Sequence, residues 1–578
     1  MTAMHHSHWP EGVPHHIHVP DESIWKAFHR RALENPTGIG LHYLGREFSW
    51  RELVDEAQYL AGALAHLHVE KGDRVLLFMQ NCPQYVVAFH AVLRLGAVVV
   101  PVNPMNKADE LAHYIRDSGA KLAIASSDIA KELVQASQAI KPGLDHLVVF
   151  DIADALPESG ATNEADWPTY WRSWLTIRHP LPQVAELDVY AWQNLIQQAQ
   201  EAPELALDGV GDTLALLPYT SGTTGSPKGC MHTHQSLMHN AMGARSWLDM
   251  KEGDATLIVV PLFHITGLVM GMLASICNGC QMVVLPRWDR KVAARTIEHK
   301  RITHWPNIPT MVIDLLGGDD LSDYNLSSLR YIGGGGAPMP DAVGEQLIQV
   351  FGLQYVEGYG LTETAAPTHI NPMSAPHRHC LGIPYIGTQA LVVDPQTLAP
   401  LPVGEVGEIV VSGPQLFKGY WKLASETKAV FFEHQGRMFF RTGDLGRVEP
   451  DGYYYMADRL KRMINASGFK VWPAEVEALL HRHPAIKETC VIAIRDPYRG
   501  ESVKALVVLK DAQRGLVSAD DIIAWSREHM AVYKYPRVVD LVDDLPRTAT
   551  GKVLWRKAQA AQDEIDARNA PSISPKHE

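Results

Sequence analysis

Residues 220–229 have the composition of a ligand site, because glycines alternate there with hydroxyl side chains and one lysine. They read Thr-Ser-Gly-Thr-Thr-Gly-Ser-Pro-Lys-Gly, and an apolar, strand-like segment at 214–219 precedes them. Glycines let the backbone turn tightly and approach a ligand closely. The N–H and hydroxyl donors, together with one ammonium group, suit a polyphosphate. The segment is not a Walker A loop, since Lys228 lies between Pro227 and Gly229.

The alternative for residues 220–229 is a surface loop without a ligand. Its position between a strand and a helix predicted from Thr233 disfavours that alternative. Farther along the chain, four glycines at 333–336 directly follow the strand-like segment 329–332. Such a run permits unusual backbone angles and the close approach of a flat ligand.

Residues 359–363 read Tyr-Gly-Leu-Thr-Glu. Glu363 offers the oxygen ligands that Mg²⁺ prefers, and the alternative is a carboxylate placed at a helix N-terminus. Tyr359 has a glycine on each side, which predicts an exposed ring, and a core tyrosine is its alternative. His264 lies in a run without charged residues, residues 255–286, where a buried core histidine is as good an interpretation as a ligand contact.

The elements that would position these residues follow a clear pattern. Helical and strand-like segments alternate over residues 21–125, which predicts βαβ units and a parallel sheet covered on both faces. One predicted helix, 50–67, begins after Ser49. Residues 150–208 are interpreted as a helical surface excursion, and 388–455 as a β-rich region. The charged segment 458–462 suits a linker to a smaller unit.

Composition narrows the function. The chain has 578 residues, a net charge of −13 and a pI near 6.1, which argue against a nucleic-acid binder. Six scattered cysteines are typical of a reducing compartment. The uncharged run is long enough to span a membrane, but its glycines, proline and histidine favour a strand, a buried helix and a strand. No signal peptide or transmembrane segment is expected.

Two further patterns have plain interpretations. Six histidines among the first eighteen residues suggest either a metal-binding arm or, as we favour, a flexible polar arm. Cys277 and Cys280 have the spacing of a metal or redox pair, but no second pair follows, so simple packing is favoured.

Six segments, in this order, resemble motifs of the adenylate-forming superfamily, which includes acyl-CoA synthetases, firefly luciferase and peptide-synthetase adenylation domains. They are residues 220–229, 261–264, 333–337, 359–363, 441–445 with 458–461, and 467–470 with 546–552. The resemblance extends over residues 21–560. It implies an α/β fold: a large N-terminal domain of parallel-sheet αβα layers with a β-rich subdomain, and a small mobile C-terminal α+β domain. The expected bounds are 1–20 for the arm, 21–459 for the large domain, 460–465 for the hinge, 466–569 for the small domain and 570–578 for the tail.

The resemblance also implies site residues. Catalytic roles fall on Lys228, Thr362, Glu363, Lys470 and Lys552. Nucleotide and coenzyme contacts fall on Thr220, Ser221, Gly222, Thr223, Thr224, Gly225, Lys228, Gly335, Gly336, Ala337, Glu357, Tyr359, Gly360, Thr362, Asp444, Arg459 and Gly468. Mg²⁺ would be held by Glu363 and Thr223, and Lys461 occupies the hinge position, where other members have Asp. An acid pocket is expected at His264, Trp305, Ile308 and Gly334, although Trp305 and Ile308 suit a core equally well.

The function implied by the resemblance is that of an ATP-dependent carboxylic acid–CoA ligase that uses Mg²⁺ and coenzyme A. Residues 301–312, 331–339 and 458–473 look most like bacterial medium- and long-chain fatty-acyl-CoA ligases. The alternatives are an aryl- or hydroxycinnamate-CoA ligase, an enzyme that loads an acyl-carrier protein, and a non-catalytic nucleotide-binding protein. A cytoplasmic location is expected, and the sequence leaves a homodimer and peripheral contact with a membrane open.

Overall fold

The computed structural model describes residues 7–157, 167–199, 209–220, 227–336, 338–459, 462, 464–466, 469–471, 473–496, 500–530, 533–547 and 553–569. The chain divides into two compact units. The first comprises Met1–Ala390, Val411–Phe440 and Asp451–Tyr453. The second comprises Leu391–Val410, Arg441–Pro450 and Tyr454–Glu578. Both contain α-helices and β-sheets, which confirms the predicted α/β class.

The first unit contains two large sheets. In the described part of the chain, one sheet has seven strands, which lie in the spatial order His232–Thr233, Leu214–Leu216, Val98–Val102, Arg74–Phe78, Leu122–Ser126, His146–Phe150 and Asp188–Ala191. All neighbouring pairs are parallel except the first. Every residue of Val98–Val102 is buried, as expected for a parallel strand covered on both faces.

The second sheet of this unit carries most of the predicted site segments. Its described strands lie in the order Ile383–Pro384, Ala366–Ile370, Val356–Leu361, Tyr331–Gly334, His304–Asn307, Ala255–Ile258, Gln281–Val284, Ile39–Tyr43 and Arg46–Ser49. The pairs from Val356–Leu361 through Ile39–Tyr43 are parallel, and those toward both edges are antiparallel. The carboxyl ends of several parallel strands therefore lie along one edge, where ligand sites of such sheets are found.

Helices surround these sheets. The α-helices of the first unit are Ile24–Glu34, Trp50–His66, Pro83–Arg94, Ala108–Ser118, Ala130–Gln138, Thr169–Leu175, Trp192–Gln198, His234–Trp247, Ala274–Asn278, Arg290–His299, Pro309–Leu316, Asp341–Phe351 and Ala424–Val430. Shorter 3₁₀ turns lie at Ile152–Ala155, Leu321–Asp323 and Thr362–Thr364. The helix predicted after Ser49 is confirmed. The Ser49 hydroxyl accepts from the Glu52 N–H at 3.2 Å, and the Glu52 carboxylate accepts from the Ser49 N–H at 2.7 Å.

The uncharged run has the structure that its sequence predicts. It forms the strand Ala255–Ile258, a buried π-helical segment Gly267–Leu273 that continues into a short α-helix, and the strand Gln281–Val284. No helix within the described residues combines the length and the apolar character needed to cross a bilayer.

The prediction for residues 150–208 is partly wrong. The described residues of this range include the α-helices Thr169–Leu175 and Trp192–Gln198, but Asp188–Ala191 is a strand that extends the seven-stranded sheet by pairing in parallel with His146–Phe150. It is four residues long and none of its side chains is fully buried. A short edge strand of this kind lacks the apolar run that marks an interior strand.

The second unit is β-rich at first and then forms a smaller sheet with helices. Neighbouring strands follow the order Gln389–Val393, Gly407–Ser412, Arg437–Val448 and Tyr454–Arg459. The smaller sheet has Phe469–Val471, Ile464–Ala466, Gly500–Leu509 and Ile486–Asp496 in that order, with Val538–Leu541 pairing in parallel with Gly500–Leu509. The helices are Pro473–Leu480, Ala519–His529 and Trp555–Asn569, with a 3₁₀ turn at Asp511–Gln513. Buried side chains such as Val476, Val503 and Ile522 form its core.

Candidate functional site

The glycine- and hydroxyl-rich segment is closed at its base by a two-stranded antiparallel ladder. Lys228 pairs with Thr220, and Gly229 pairs with Tyr219. The Tyr219 hydroxyl donates to the Asp117 carboxylate at 2.6 Å, which fixes one side of the ladder. The tip of the loop lies outside the described residues, including Ser221, Gly222, Thr223, Thr224 and Gly225. The structure therefore places the two ends of the loop, Thr220 and Lys228, side by side.

A segment that the sequence did not indicate lies against this ladder. We call residues 417–421 the strap. The Trp421 N–H donates to the Gly229 carbonyl at 2.8 Å, and the Lys418 N–H donates to the Met231 carbonyl at 2.8 Å. The strap thus runs beside the strand that follows the loop and holds it through backbone hydrogen bonds.

One glycine in the strap could have identified this segment. Gly419 has a φ of +136°, which L side chains rarely adopt, and a Cβ there would collide with the Thr427 side chain. A glycine between a lysine and two aromatic residues is a pattern that indicates tight packing of the backbone. It does not indicate what the strap packs against.

Lys228 is held by the strap and by the helix that follows it. Its ammonium group forms an ion pair with the Glu426 carboxylate and lies over the Tyr420 ring, 5.1 Å from the centroid. The lysine side chain is 11% exposed and the glutamate side chain 35%. Burial lowers the pKa of Lys228, whereas the charge of Glu363 acts in the opposite direction. Lys228 is thus a largely buried cation with two carboxylates near it.

Glu363 lies in the turn Thr362–Thr364, directly after a strand of the larger sheet. Its side chain is 8% exposed, and its Oε1 accepts a hydrogen bond from the Tyr420 hydroxyl at 2.9 Å. Its carbonyl accepts from the Phe417 N–H at 2.9 Å. Tyr420 therefore contacts both predicted site residues, with its hydroxyl on Glu363 and its ring under Lys228.

Buried polar residues also hold the turn Thr362–Thr364 and the residues that follow it. The His232 ring donates from Nε2 to the Thr362 carbonyl at 2.6 Å, and burial lowers the pKa of His232 to about 4, which keeps the ring neutral near pH 7. The Asn240 amide donates to the carbonyls of Ala365 at 2.8 Å and Pro367 at 3.1 Å. Ala365 has a φ of 49°, a left-handed conformation that only well-determined surroundings sustain.

This arrangement fits a nucleotide with Mg²⁺. Mg²⁺ is commonly held by one or two carboxylates, with waters and substrate phosphates as its other ligands. A single buried carboxylate with a nearby ammonium group provides such a setting, and Glu363 and Lys228 supply these groups. Within the described residues, no three histidine, cysteine or acidic side chains converge as a metal centre of their own.

The predicted exposure of Tyr359 is wrong. Its side chain is 9% exposed, and its ring lies 5.8 Å from the buried ring of His369. The antiparallel strand Ala366–Ile370 pairs with the strand of Tyr359 and places His369 directly opposite it, which no local pattern reveals. The neighbouring Gly360 is required for a different reason, because a Cβ there would collide with the Ala366 carbonyl.

The glycine run also serves the packing of strands. A Cβ on Gly334 would collide with the Asn307 carbonyl, and one on Gly335 would collide with the Gly358 carbonyl. Gly336 has a φ of +92° and is exposed, and Ala337 lies outside the described residues. The run therefore allows close backbone packing at the end of the strand Tyr331–Gly334 and reaches the surface at its last glycine.

Glu357 has a different environment from Glu363. Its side chain is also 8% exposed, but Oε1 accepts from two backbone groups, the N–H of Met339 and the N–H of His379, each at 3.3 Å. Burial raises its pKa. It lines a cavity together with Tyr355, Ile348, Gln354 and Arg378 among other residues.

The residues expected at the acid pocket have mixed surroundings. His264 is exposed, so its alternative as a core histidine is wrong, and its Nδ1 accepts from the Thr266 N–H at 3.3 Å. Trp305 is fully buried and stacks on Trp288, with ring centroids 5.5 Å apart. Ile308 is half-buried at the end of the same strand.

In the second unit, two predicted ribose contacts lie opposite each other. Asp444 pairs with Arg459 across antiparallel strands. The Asp444 side chain is 1% exposed, and its N–H donates to the Thr442 hydroxyl at 3.1 Å. The backbone of Lys470 lies in the strand Phe469–Val471, opposite Asn465. Lys461, Gly468 and Lys552 lie outside the described residues.

The cysteine pair is in a packing environment. All six cysteines lie in the described part of the chain, and none of them forms a disulfide. Burial raises the pKa of both Cys277 and Cys280 to about 12, so these thiols stay protonated. This favours the packing interpretation over redox or metal use.

Comparison with known proteins connects these features. The family described as AMP-binding enzyme matches residues 28–421, and the AMP-binding enzyme C-terminal domain matches residues 475–552. The chain is 33% identical over 564 residues to a long-chain-fatty-acid–CoA ligase of Bacillus subtilis (strain 168), covering 95% of this chain and 96% of the relative. It is 32% identical over 527 residues to a feruloyl-CoA synthase of an Amycolatopsis species, covering 91% and 96%.

A solved structure gives the same result for the fold. The crystal structure of ATP-bound MatB from Rhodopseudomonas palustris aligns with a TM-score of 0.79 and 25% identity. The alignment covers 94% of this chain and 99% of that one.

Proposed function

The chain belongs to the family of AMP-binding enzymes and is an AMP-forming acid–CoA ligase, and we propose that its acid is a medium- or long-chain fatty acid. The reaction has two steps. The acid and ATP form acyl-AMP and pyrophosphate, and acyl-AMP then reacts with coenzyme A to give acyl-CoA and AMP. One observation carries the first step: Tyr420 joins a buried carboxylate, Glu363, to a buried ammonium group, Lys228.

Charge explains why these groups are needed together. A carboxylate must approach the α-phosphorus of ATP, and both reactants are anionic, so positive groups must offset their repulsion. We assign Lys228 to the β- and γ-phosphates of the leaving pyrophosphate and the Thr362 hydroxyl to the α-phosphate. Glu363 and Thr223 would hold Mg²⁺, which would neutralise phosphate charge when bound.

The remaining nucleotide contacts are proposed from the sequence motifs. Adenine is enclosed by Tyr359, Gly360, the segment Gly335, Gly336 and Ala337, and the backbone of Glu357, whose carboxylate is held by other backbone groups. Asp444 accepts from the ribose hydroxyls, as a carboxylate does well. Arg459 acts near the ribose and phosphate, and its position opposite Asp444 supports a shared site.

Two half-reactions in one site call for a rearrangement between them. We propose that residues 21–459 form the large domain, that the small domain of residues 466–569 rotates about the hinge 460–465, and that Lys461 is the pivot. Lys552 serves the adenylation step as a mobile point charge, and Gly468 and Lys470 serve the thioester step. Lys552→Ala should abolish acyl-AMP formation but leave the reaction of supplied acyl-AMP with coenzyme A. An equal loss of both steps would contradict the rotation.

Activity measured with a panel of acids identifies the preferred substrate. The fatty-acid and ferulate relatives are almost equally similar, at 33% and 32% identity, so identity alone favours neither. AMP formation that depends on ATP and coenzyme A should be measured with acids from acetate to oleate, with ferulate and benzoate included. We expect the highest kcat/KM with a fatty acid of medium or long chain. A preference for ferulate or benzoate would establish the aryl alternative instead.

The same panel tests the other two alternatives. Replacing coenzyme A by an acyl-carrier protein should give no AMP release, whereas turnover with the carrier alone would indicate carrier loading. Failure to form AMP with any acid would indicate a non-catalytic nucleotide-binding protein. We also propose a cytoplasmic location. The six cysteines, none of which forms a disulfide, support it, and cell fractionation tests it.

A further inference from the structure

The pairing of Lys228 with Glu426 is unexpected in a site for phosphate. A lysine that binds phosphate should face anionic ligands, and here a carboxylate of the protein itself occupies that position. Glu426 lies in the first turn of the helix Ala424–Val430. It is more exposed than the lysine, at 35% against 11%. The carboxylate is therefore partly accessible, while the ammonium group that it pairs with is largely buried.

The placement of Glu426 is fixed by its neighbours. The Tyr420 N–H donates to the Thr427 hydroxyl at 2.9 Å, and that hydroxyl donates to the Leu423 carbonyl at 2.9 Å. These bonds tie the start of the helix to the strap, and the Tyr420 ring lies directly under the lysine. The first turn of the helix, the tyrosine and the ammonium group therefore form one connected arrangement.

We propose that Glu426 is an exchangeable counter-ion for Lys228, paired with it in the absence of nucleotide and replaced by the β- and γ-phosphates when ATP binds. As pyrophosphate leaves, the carboxylate pairs with the ammonium group again. This inference rests on the proposed role of Lys228 at the leaving group. Glu426 is a positioning residue, since it contacts the lysine and not the reacting atoms.

The physical reason lies in the burial of the lysine. Burial disfavours its charged form, and a carboxylate partner preserves the charge until a phosphate arrives. A pyrophosphate carries more negative charge than one carboxylate, so it displaces Glu426. Pyrophosphate must break the ion pair in order to bind, so its binding free energy is less favourable by the free energy of that pair. The weaker binding favours product release.

The direction of the effect separates exchange from a structural role. Removing the carboxylate removes a competitor, so Glu426→Gln should bind pyrophosphate more tightly, by about two- to fivefold for a partly exposed ion pair. A purely structural ion pair predicts the opposite, because its loss would loosen the site.

The experiment is the calorimetric binding of inorganic pyrophosphate, in the presence of Mg²⁺ and without acid or coenzyme A. It uses the full chain as wild type, Glu426→Gln, Lys228→Gln and the double variant. The gain in affinity from Glu426→Gln should vanish in the Lys228→Gln background, which is the signature of a coupled pair. Asp212→Asn is the matched control, since it removes an equivalent charge from the exposed pair that Asp212 forms with Lys418 of the strap. It should leave pyrophosphate affinity unchanged.

Equal or weaker pyrophosphate binding by Glu426→Gln overturns the inference, as does a gain that persists without Lys228 or an absence of binding by the wild type. Thermal unfolding without ligand verifies that each variant is folded, and Glu426→Ala, which also removes the carboxylate, serves if Glu426→Gln does not fold. Steady-state kinetics should show a lower KM for ATP in Glu426→Gln with a kcat that is unchanged or reduced. Failure to form AMP with any acid, alongside the expected pyrophosphate binding, contradicts the proposed function and leaves the exchange supported.

Discussion

Glu357 and Glu363 are equally exposed, at 8% each, and lie in adjoining segments of the chain, yet their surroundings differ. Glu357 accepts from two backbone N–H groups. Glu363 accepts from the Tyr420 hydroxyl and is near enough to Lys228 to influence its pKa. Burial alone therefore does not identify a catalytic carboxylate. The kind of donor that faces it is more informative.

The difference has a physical consequence. Backbone donors are fixed by the fold, so Glu357 ties the segments of Met339 and His379 together. Because burial raises its pKa, its charge is not well stabilised there. Glu363 instead faces a side-chain hydroxyl and has a cation nearby, which are partners that a metal ion can replace. We therefore expect the same Glu→Gln substitution to have very different effects at the two positions.

The largest expected effect is that of Glu363→Gln. Loss of the carboxylate charge removes the proposed Mg²⁺ ligand, so kcat for AMP formation should fall by about 10²- to 10³-fold. A coupled assay for AMP at saturating acid and ATP measures this. The thermal midpoint without ligand should stay close to that of the wild type, because a glutamine oxygen still accepts from Tyr420.

A smaller loss is expected for Tyr420→Phe. The ring remains under Lys228, but Glu363 loses a donor, and a hydrogen bond to a charged group contributes enough to change kcat by about tenfold. The Mg²⁺ concentration for half-maximal activity should also change. Unchanged activity and Mg²⁺ dependence would show that the hydroxyl does not position Glu363.

At the contrasting carboxylate, Glu357→Gln should keep kcat within about threefold of the wild type. Both backbone donors bind the same oxygen, Oε1, which glutamine retains. Glu357→Ala, by comparison, leaves two buried N–H groups without that acceptor and should lower the free energy of unfolding by about 1–3 kcal/mol. Denaturant unfolding of the two variants measures the difference. A severe loss of activity in Glu357→Gln would remove the contrast between the two carboxylates.

A small effect that is confined to the acid is expected outside both environments, at His264. Its side chain is exposed, and most contacts of exposed side chains contribute less than about 1 kcal/mol, so His264→Ala should change the KM for the acid by about two- to fivefold. The KM for ATP should not change. A changed KM for ATP with an unchanged KM for the acid would show that His264 does not lie beside the acid.

Local patterns were enough for some features and not for others. The helix after Ser49 and the parallel strands depend on neighbouring residues, and the sequence predicts them. The pair of Lys228 and Glu426 joins residues 198 positions apart, and nothing near either one indicates the other. The prediction for Tyr359 is wrong for the same reason, because the strand that carries His369 lies beside it only in the fold.

The most direct measurement separates the two half-reactions in Glu363→Gln and Glu357→Gln. Acyl-AMP formation from ATP and a fatty acid is followed in a single turnover, and acyl-CoA formation is followed from supplied acyl-AMP and coenzyme A. We expect Glu363→Gln to lose the first reaction by about 10²-fold or more and to retain the second, and Glu357→Gln to retain both. Equal losses of both reactions in Glu363→Gln, or equal losses in the two variants, would contradict the assignment of Glu363 to the adenylation step.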